Sequence, residues 1–230
     1  MCAKERLTPG DKSLPTVDVE AEFWQQGIDV VAGLDEAGRG PWAGPVYAAA
    51  VVLPQDPEQL VHLGEVRDSK LLSHRQRERL LEEIRAIARV LGVGFASSQE
   101  IDTMGIVPAT CLAMRRALDA LAMPPQALII DALTLPHLHL PQKAFPRADA
   151  SSLSVAAASI VAKVSRDHWM IETAATRFPG YGFDQHKGYG TKQHQEALDR
   201  LGVCPLHRRS FRPVAKRLNR PPDPEPLPGF

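Results

Sequence analysis

The chain of 230 residues has room for one large domain or two small ones, and with 44% hydrophobic and 23% charged residues it matches an ordinary globular protein, not a collagen, a coiled coil or a disordered chain. Lys plus Arg and Asp plus Glu each number 27, so the formal charge is zero and the whole molecule exerts no net pull on a polyanion. Any affinity for nucleic acid must be local.

The longest apolar run near the middle, residues 46–53, is far short of the roughly 20 residues of a membrane-spanning helix. The opening MCAKERLTPGDKSL carries charges without the apolar stretch of a secretory signal, so a cytoplasmic protein is expected. Cys2, Cys111 and Cys204 form no C-x-x-C pair, which argues against a zinc site and against a disulfide framework.

In chain order, residues 1–27 are polar without periodicity and are expected to be poorly ordered. Residues 30–35 and 46–53 are valine-rich runs of strand length on either side of a glycine-proline segment. Ser73 and Gln76 make a capping-box pattern, and Leu80, Leu81, Ile84, Ile87 and Ala88 then recur at helical spacing. A strand over 90–97, a helix over 108–121 and a buried strand over 127–131 follow. From 151 to 176, Leu153, Ala157, Ile160, Val161, Val164 and Ile171 form the broad apolar face of a helix packed on a sheet, and a short helix is expected after Thr191. PPDPEPLPGF is too rich in proline to join a core, so residues 219–230 are expected to be a disordered tail. With no internal repeat, one α/β domain over 28–218 is the economical reading.

The carboxylates carry the chemistry. Asp35 and Glu36 end the first strand at the loop AGRGP, Asp131 ends the strand ALIID, and Asp149 precedes the long helix. Strand ends of an open sheet are the usual rim for ligands. Four oxygen donors without a matching histidine or cysteine cluster suit Mg2+ or Mn2+, although Asp149 equally suits a helix cap. In Gly38-Arg39-Gly40, glycines permit close approach of a ligand and the guanidinium suits a phosphate; a tight turn between strands accounts for the same residues. Residues 207–220 hold Arg208, Arg209, Arg212, Lys216, Arg217 and Arg220 without an acid, a phosphate-binding stripe or a solvated face. His186 and His194 lack a cysteine partner or i, i+4 spacing and read as structural or substrate-adjacent groups.

The segments LDEAGRGPWAGPV (34–46), RDSKLLS (67–73), AASIVAKVSRD (157–167), HKGYGTKQH (186–194) and HRRSFRPV (207–214), in this order, closely resemble bacterial ribonuclease HII. The resemblance implies a ribonuclease H-like fold, a mixed five-stranded sheet flanked by helices, with a C-terminal helical extension that helps bind the duplex. It implies cleavage of the RNA strand of RNA/DNA hybrids and nicking of duplex DNA on the 5′ side of a single embedded ribonucleotide, with Mg2+ or Mn2+. The sister family, ribonuclease HIII, is disfavoured because the extension before Val31 is too short for its extra N-terminal domain.

Carried over by position, the resemblance makes Asp35, Glu36, Asp131 and Asp149 the catalytic, metal-binding acids and Gly38, Arg39 and Gly40 the ribose-reading loop. Tyr189 is the junction-sensing tyrosine, with Tyr181 its rival. Lys70, Lys163 and the basic stripe would position phosphates, or serve as ordinary surface charges. Two cations about 3.5 to 4 Å apart would clamp the phosphate and leave 3′-hydroxyl and 5′-phosphate ends. Where many relatives have glycine after the strand-end aspartate, this chain has Ala132, a small change not expected to displace the carboxylate. A monomer is expected, and PEPLPGF is either a docking peptide for a DNA sliding clamp or a solubilising end. A module that only bound the polyanion would gain nothing from four carboxylates beside the phosphate, which favours an enzyme. A junction resolvase of the same broad group is the enzymatic alternative.

Overall fold

The computed structural model describes residues 14–218. The elements are α1 (Asp18–Trp24), β1 (Val31–Ala37), β2 (Val46–Val52), α2 (Pro57–Leu60), α3 (His74–Ile87), β3 (Val90–Ala96), α4 (Ser98–Met104), α5 (Ile106–Asp119), β4 (Ala127–Asp131) and β5 (Gln142–Phe145). They continue with α6 (Leu153–His168), α7 (Ala175–Arg177), α8 (Phe183–His186), α9 (Lys192–Leu201) and α10 (Arg212–Ala215). Single 3-10 turns over Ser69–Leu71 and Ala148–Ala150 flank the site described below, and a π-helical segment, Trp169–Ala174, joins α6 to α7.

The strands form one mixed sheet in the order β3-β2-β1-β4-β5, antiparallel from β3 to β1 and parallel from β1 to β5. β2 is buried throughout, and its alternation divides the core. Ala49 and Val51 pack with α6 and α3, whereas Ala48, Ala50 and Val52 pack with α5. α6 lies so close to β1 that a Cβ at Gly33 would overlap the backbone of Ser154, so only glycine allows this layer spacing. Helices cover both faces because each face of the sheet is apolar. Among the described residues no helix is long and apolar enough to cross a membrane.

Several features depart from the sequence expectation. Within the stretch expected to be loose, residues 18–24 form α1. Phe23 is buried in a cluster with Val31, Ile129 and Val155, and the carboxylate of Glu20 accepts bonds from Ser152 Oγ (2.7 Å), Ser154 N (2.8 Å) and Ser154 Oγ (2.6 Å). The segment has no periodicity because it is held by two contacts to distant elements, not by an apolar face. β5 and α4 were also unexpected, although Ser97 and Glu100 form a capping box at α4 as Ser73 and Gln76 do at α3. Residues 1–13 of the N-terminal stretch and all of the 219–230 tail lie outside the described residues.

Candidate active site

β1 and β4 pair in parallel with Leu34 opposite Ile130, so the next residues, Asp35 and Asp131, lie side by side on strands about 4.8 Å apart. Alternation puts both on the same face of the sheet. Gly33, two residues before Asp35, backs onto α6, and Ile129, two before Asp131, packs against Val155 of that helix. Asp131 Oδ1 accepts the Ala148 N–H at 2.9 Å, which ties the turn carrying Asp149 to the end of β4. Asp35, Asp131 and Asp149 are thus brought to one edge, with Glu36 within the same field. Glu36, one step beyond Asp35, starts towards the opposite face, where Cys111 of α5 lies in its field.

The electrostatics follow from this crowding. Burial, then repulsion from Glu36, Asp131 and Asp149, holds the Asp35 carboxyl well above the usual carboxylate range, although the Glu36 N–H donates to it at 2.7 Å. Burial raises Glu36 too, against the pull of Arg39, whose guanidinium lies 3.3 Å from Oε1. Asp149 is raised by burial and by Asp68 and Asp131. Among the described residues no three His, Cys, Asp or Glu groups meet as a closed ligand cage. Hard divalent cations nevertheless fit this donor set: Glu36 Oε2 is buried without a hydrogen-bond partner, and burial together with neighbouring carboxylates raises Asp35, Glu36 and Asp149.

The loop from 38 to 45 is held from below by two buried arginines. Gly38 has φ 95°, and a Cβ there would overlap the Arg166 side chain. Arg208 donates from Nη2 to Gly38 O (2.6 Å), from Nη1 to Arg39 O (2.8 Å) and from Nε to Gly44 O (2.9 Å). Arg166 donates from Nε to Pro45 O (2.9 Å) and from Nη2 to Ala43 O (3.2 Å). Arg208 was expected in the phosphate-binding stripe. It is fully buried instead, because its guanidinium is spent on loop carbonyls. Arg217 of that stripe pairs with Asp199 at 2.7 Å, which leaves Arg209, Arg212 and Lys216 exposed among the described residues of the stripe.

Tyr189 is 44% exposed, and its Cε1 lies 3.9 Å from where a Cβ at Gly40 would sit. The rival Tyr181 is buried, stacks on Phe183 and donates its hydroxyl to Gly202 O at 2.9 Å. It has no face left for a substrate. His186 and His194 are not arranged as ligands either. Their rings stack at 4.4 Å inside an aromatic cluster, where the Gly188 N–H donates to His186 Nδ1 and His194 Nδ1 lies 2.9 Å from Tyr189 O. His194 Nε2 in turn meets His207 Nε2 at 3.0 Å.

Lys70 is exposed, 4.0 Å from Asp68. Partial burial lowers its affinity for a proton, but Asp68, Asp35, Asp149 and Asp131 together outweigh this and raise it. Lys163 on α6 is half-buried, paired with Asp167 at 2.7 Å and 6.0 Å from the centre of the Tyr189 ring; burial lowers its pKa. The loop-holding role of Arg166 and Arg208 was missed from the sequence. Both fall inside segments that looked functional, but nothing in a sequence marks an arginine as fully buried.

A sequence model of the family Ribonuclease HII matches residues 32–214. The ribonuclease HII of Syntrophotalea carbinolica is 50% identical over 209 residues, 89% of this chain and 98% of that protein. Among solved structures, ribonuclease H2 from Pyrococcus horikoshii OT3 superimposes with a TM-score of 0.66 at 28% identity, covering 83% of this chain and 97% of the other. The RNase HII of Archaeoglobus fulgidus, solved in complex with PCNA, gives 0.66 at 30% identity over 79% and 95% of the two chains. Half of all positions agree with the Syntrophotalea protein over nearly its whole length, and the fold matches solved relatives along most of both chains. The chain therefore belongs to the ribonuclease HII family, type 2 ribonucleases H that act as endonucleases on RNA/DNA hybrids.

Proposed function

We propose that this protein cleaves the RNA strand of hybrids, and nicks duplex DNA 5′ of a single embedded ribonucleotide, through two divalent cations, Mn2+ or Mg2+, held by Asp35, Glu36, Asp131 and Asp149. The observation that supports this best is the β1–β4 register, which sets Asp35 and Asp131 side by side, with Asp149 tied in through Ala148 N–H. When bound, the cations supply Lewis-acid charge at the scissile phosphate. Asp35, Glu36 and Asp149 would hold that charge, and the burial and mutual repulsion that raise all three are what a bound cation would offset. No side-chain nucleophile is needed: water attacks in line and the 3′ oxygen departs, giving 3′-hydroxyl and 5′-phosphate ends.

Gly38, Arg39 and Gly40 present backbone groups to the 2′-hydroxyl that distinguishes ribose from deoxyribose. Tyr189, exposed beside Gly40, stacks on the next sugar and disfavours a hydroxyl there. Lys70 and Lys163 steer phosphates, Lys70 from an exposed turn within the field of the acids. The PCNA complex of the Archaeoglobus relative supports a DNA sliding clamp as partner.

A nicking assay on duplex DNA containing one ribonucleotide, with an all-DNA duplex and a chelator in parallel, tests this reading. Cleavage should occur only in the ribonucleotide duplex and stop with chelator. Asp35→Asn should cut at least about 100-fold more slowly while still binding the duplex. Equal cutting of both duplexes, or cutting that survives the chelator, refutes it.

A further inference from the structure

Two guanidinium groups, Arg166 and Arg208, are buried together beneath the loop at 38–45, and neither has a carboxylate within hydrogen-bonding distance among the described residues. That arrangement is costly. Burying a cation without a counter-charge is unfavourable, the two cations repel each other, and Arg166 Nη1 is left with no hydrogen-bond partner. A strut that merely stiffened a turn would be met more cheaply by an arginine paired with an acid, or by apolar packing. All five bonds they make go to backbone carbonyls of one loop, those of residues 38, 39, 43, 44 and 45.

The consequence follows from the peptide plane. The described chain contains no cis peptide, and across a trans peptide the C=O of one residue and the N–H of the next point in opposite directions. Arg208 draws the carbonyls of Gly38 and Arg39 inward with two parallel bonds, so the N–H groups of Arg39 and Gly40 must point outward, away from the protein. Among the described residues neither N–H has a protein acceptor. Gly40 is exposed, and Tyr189 lies alongside it. Arg166 fixes the other end of the loop through Ala43 and Pro45 and fills the space that a side chain at 38 would need.

We propose that Arg208, seconded by Arg166, is a positioning residue for ribose recognition, which sets the two outward N–H donors at 39 and 40 by holding the preceding carbonyls. This rests on the reading that the loop recognises the 2′-hydroxyl. Lysine cannot replace arginine here, because a single ammonium keeps the charge but cannot span two adjacent carbonyls in a fixed plane.

The test compares wild type with Arg208→Lys and Arg166→Lys. In chelator, so that nothing is cut, the dissociation constants for an all-DNA duplex and for the same duplex with one ribonucleotide are measured and their ratio taken, with thermal unfolding followed in parallel. The ratio should fall about tenfold in Arg208→Lys and less in Arg166→Lys. A role confined to stability lowers the active fraction, moves both constants together and leaves the ratio where it was, so an unchanged ratio in a folded variant overturns the proposal. Loss of cooperative unfolding in both variants also overturns it, since the pair is then a structural strut. A wild-type ratio of one removes ribose reading by the loop, and the proposal with it, an outcome distinct from a wild-type preference that survives Arg208→Lys.

Discussion

Ala132 follows Asp131 with φ 56°, the left-handed region in which a Cβ crowds the backbone. The carboxylate before it still reaches the site, as the Ala148 N–H bond to Asp131 shows, so the strain is absorbed locally. Ala132→Gly removes a penalty of about 1 to 2 kcal/mol but adds roughly 0.4 to 1 kcal/mol of chain entropy in the unfolded state. The expected outcome in chemical denaturation is stabilisation of about 1 kcal/mol or less; a clear loss of stability contradicts a strained alanine. At this scale the sequence could name Asp35, Glu36 and Asp131 as candidates because each falls at the end of an apolar strand, and the structure sets Asp35 beside Asp131. It could not place Arg208: an arginine in a basic run looks the same whether it faces solvent or is buried, and only the carbonyls around it decide.

Elements that carry their own signal were found where the sequence indicated. α3 and α5 show periodic apolar faces, α3 adds a capping box, and β2 and β4 are apolar runs of strand length. β5 and α1 carry none. β5 is four half-buried residues on the outer edge of the sheet, a strand only because β4 offers it a parallel partner. α1 is held through Phe23 and through Glu20, whose carboxylate bonds Ser152 and Ser154 at the start of α6. Glu20→Ala would leave those buried donors unsatisfied and should cost about 2 to 3 kcal/mol, read as a lower urea midpoint. A variant as stable as wild type would show that the N-terminal segment is as dispensable as its sequence suggests.

For the molecule as a whole, zero net charge means that duplex affinity depends on local placement, while its response to pH depends on the histidine cluster. Burial pushes His194 down to about 4 and His207 down to about 3, each aggravated by a neighbouring histidine, from an ordinary 6.5. A folded state that resists protonation binds fewer protons than the unfolded chain. The stability these groups contribute is therefore present above pH 6.5 and is lost as pH falls towards 4 and then 3. Asp35, Glu36 and Asp149, raised in the folded state, act in the opposite sense at the acid end. An NMR titration should find the His194 and His207 rings still neutral at pH 5, with stability reduced by about 1 to 3 kcal/mol between pH 7 and 5.5. Ordinary titration near 6.5 rules this out.

The sequence by itself determined the class of fold and the positions of the main strands and helices, and it singled out Asp35, Glu36 and Asp131 as candidates at strand ends, because hydrophobic period, capping patterns and strand-end carboxylates are local properties of the chain; the place of Asp149 among them came from the resemblance. Only the tertiary structure decided that Tyr189 faces outward while Tyr181 is buried, that Arg208 serves the loop and not a phosphate, and that α1 belongs to the fold. Each of these depends on contacts between residues up to 170 positions apart, and a sequence does not record which distant groups will close over a side chain.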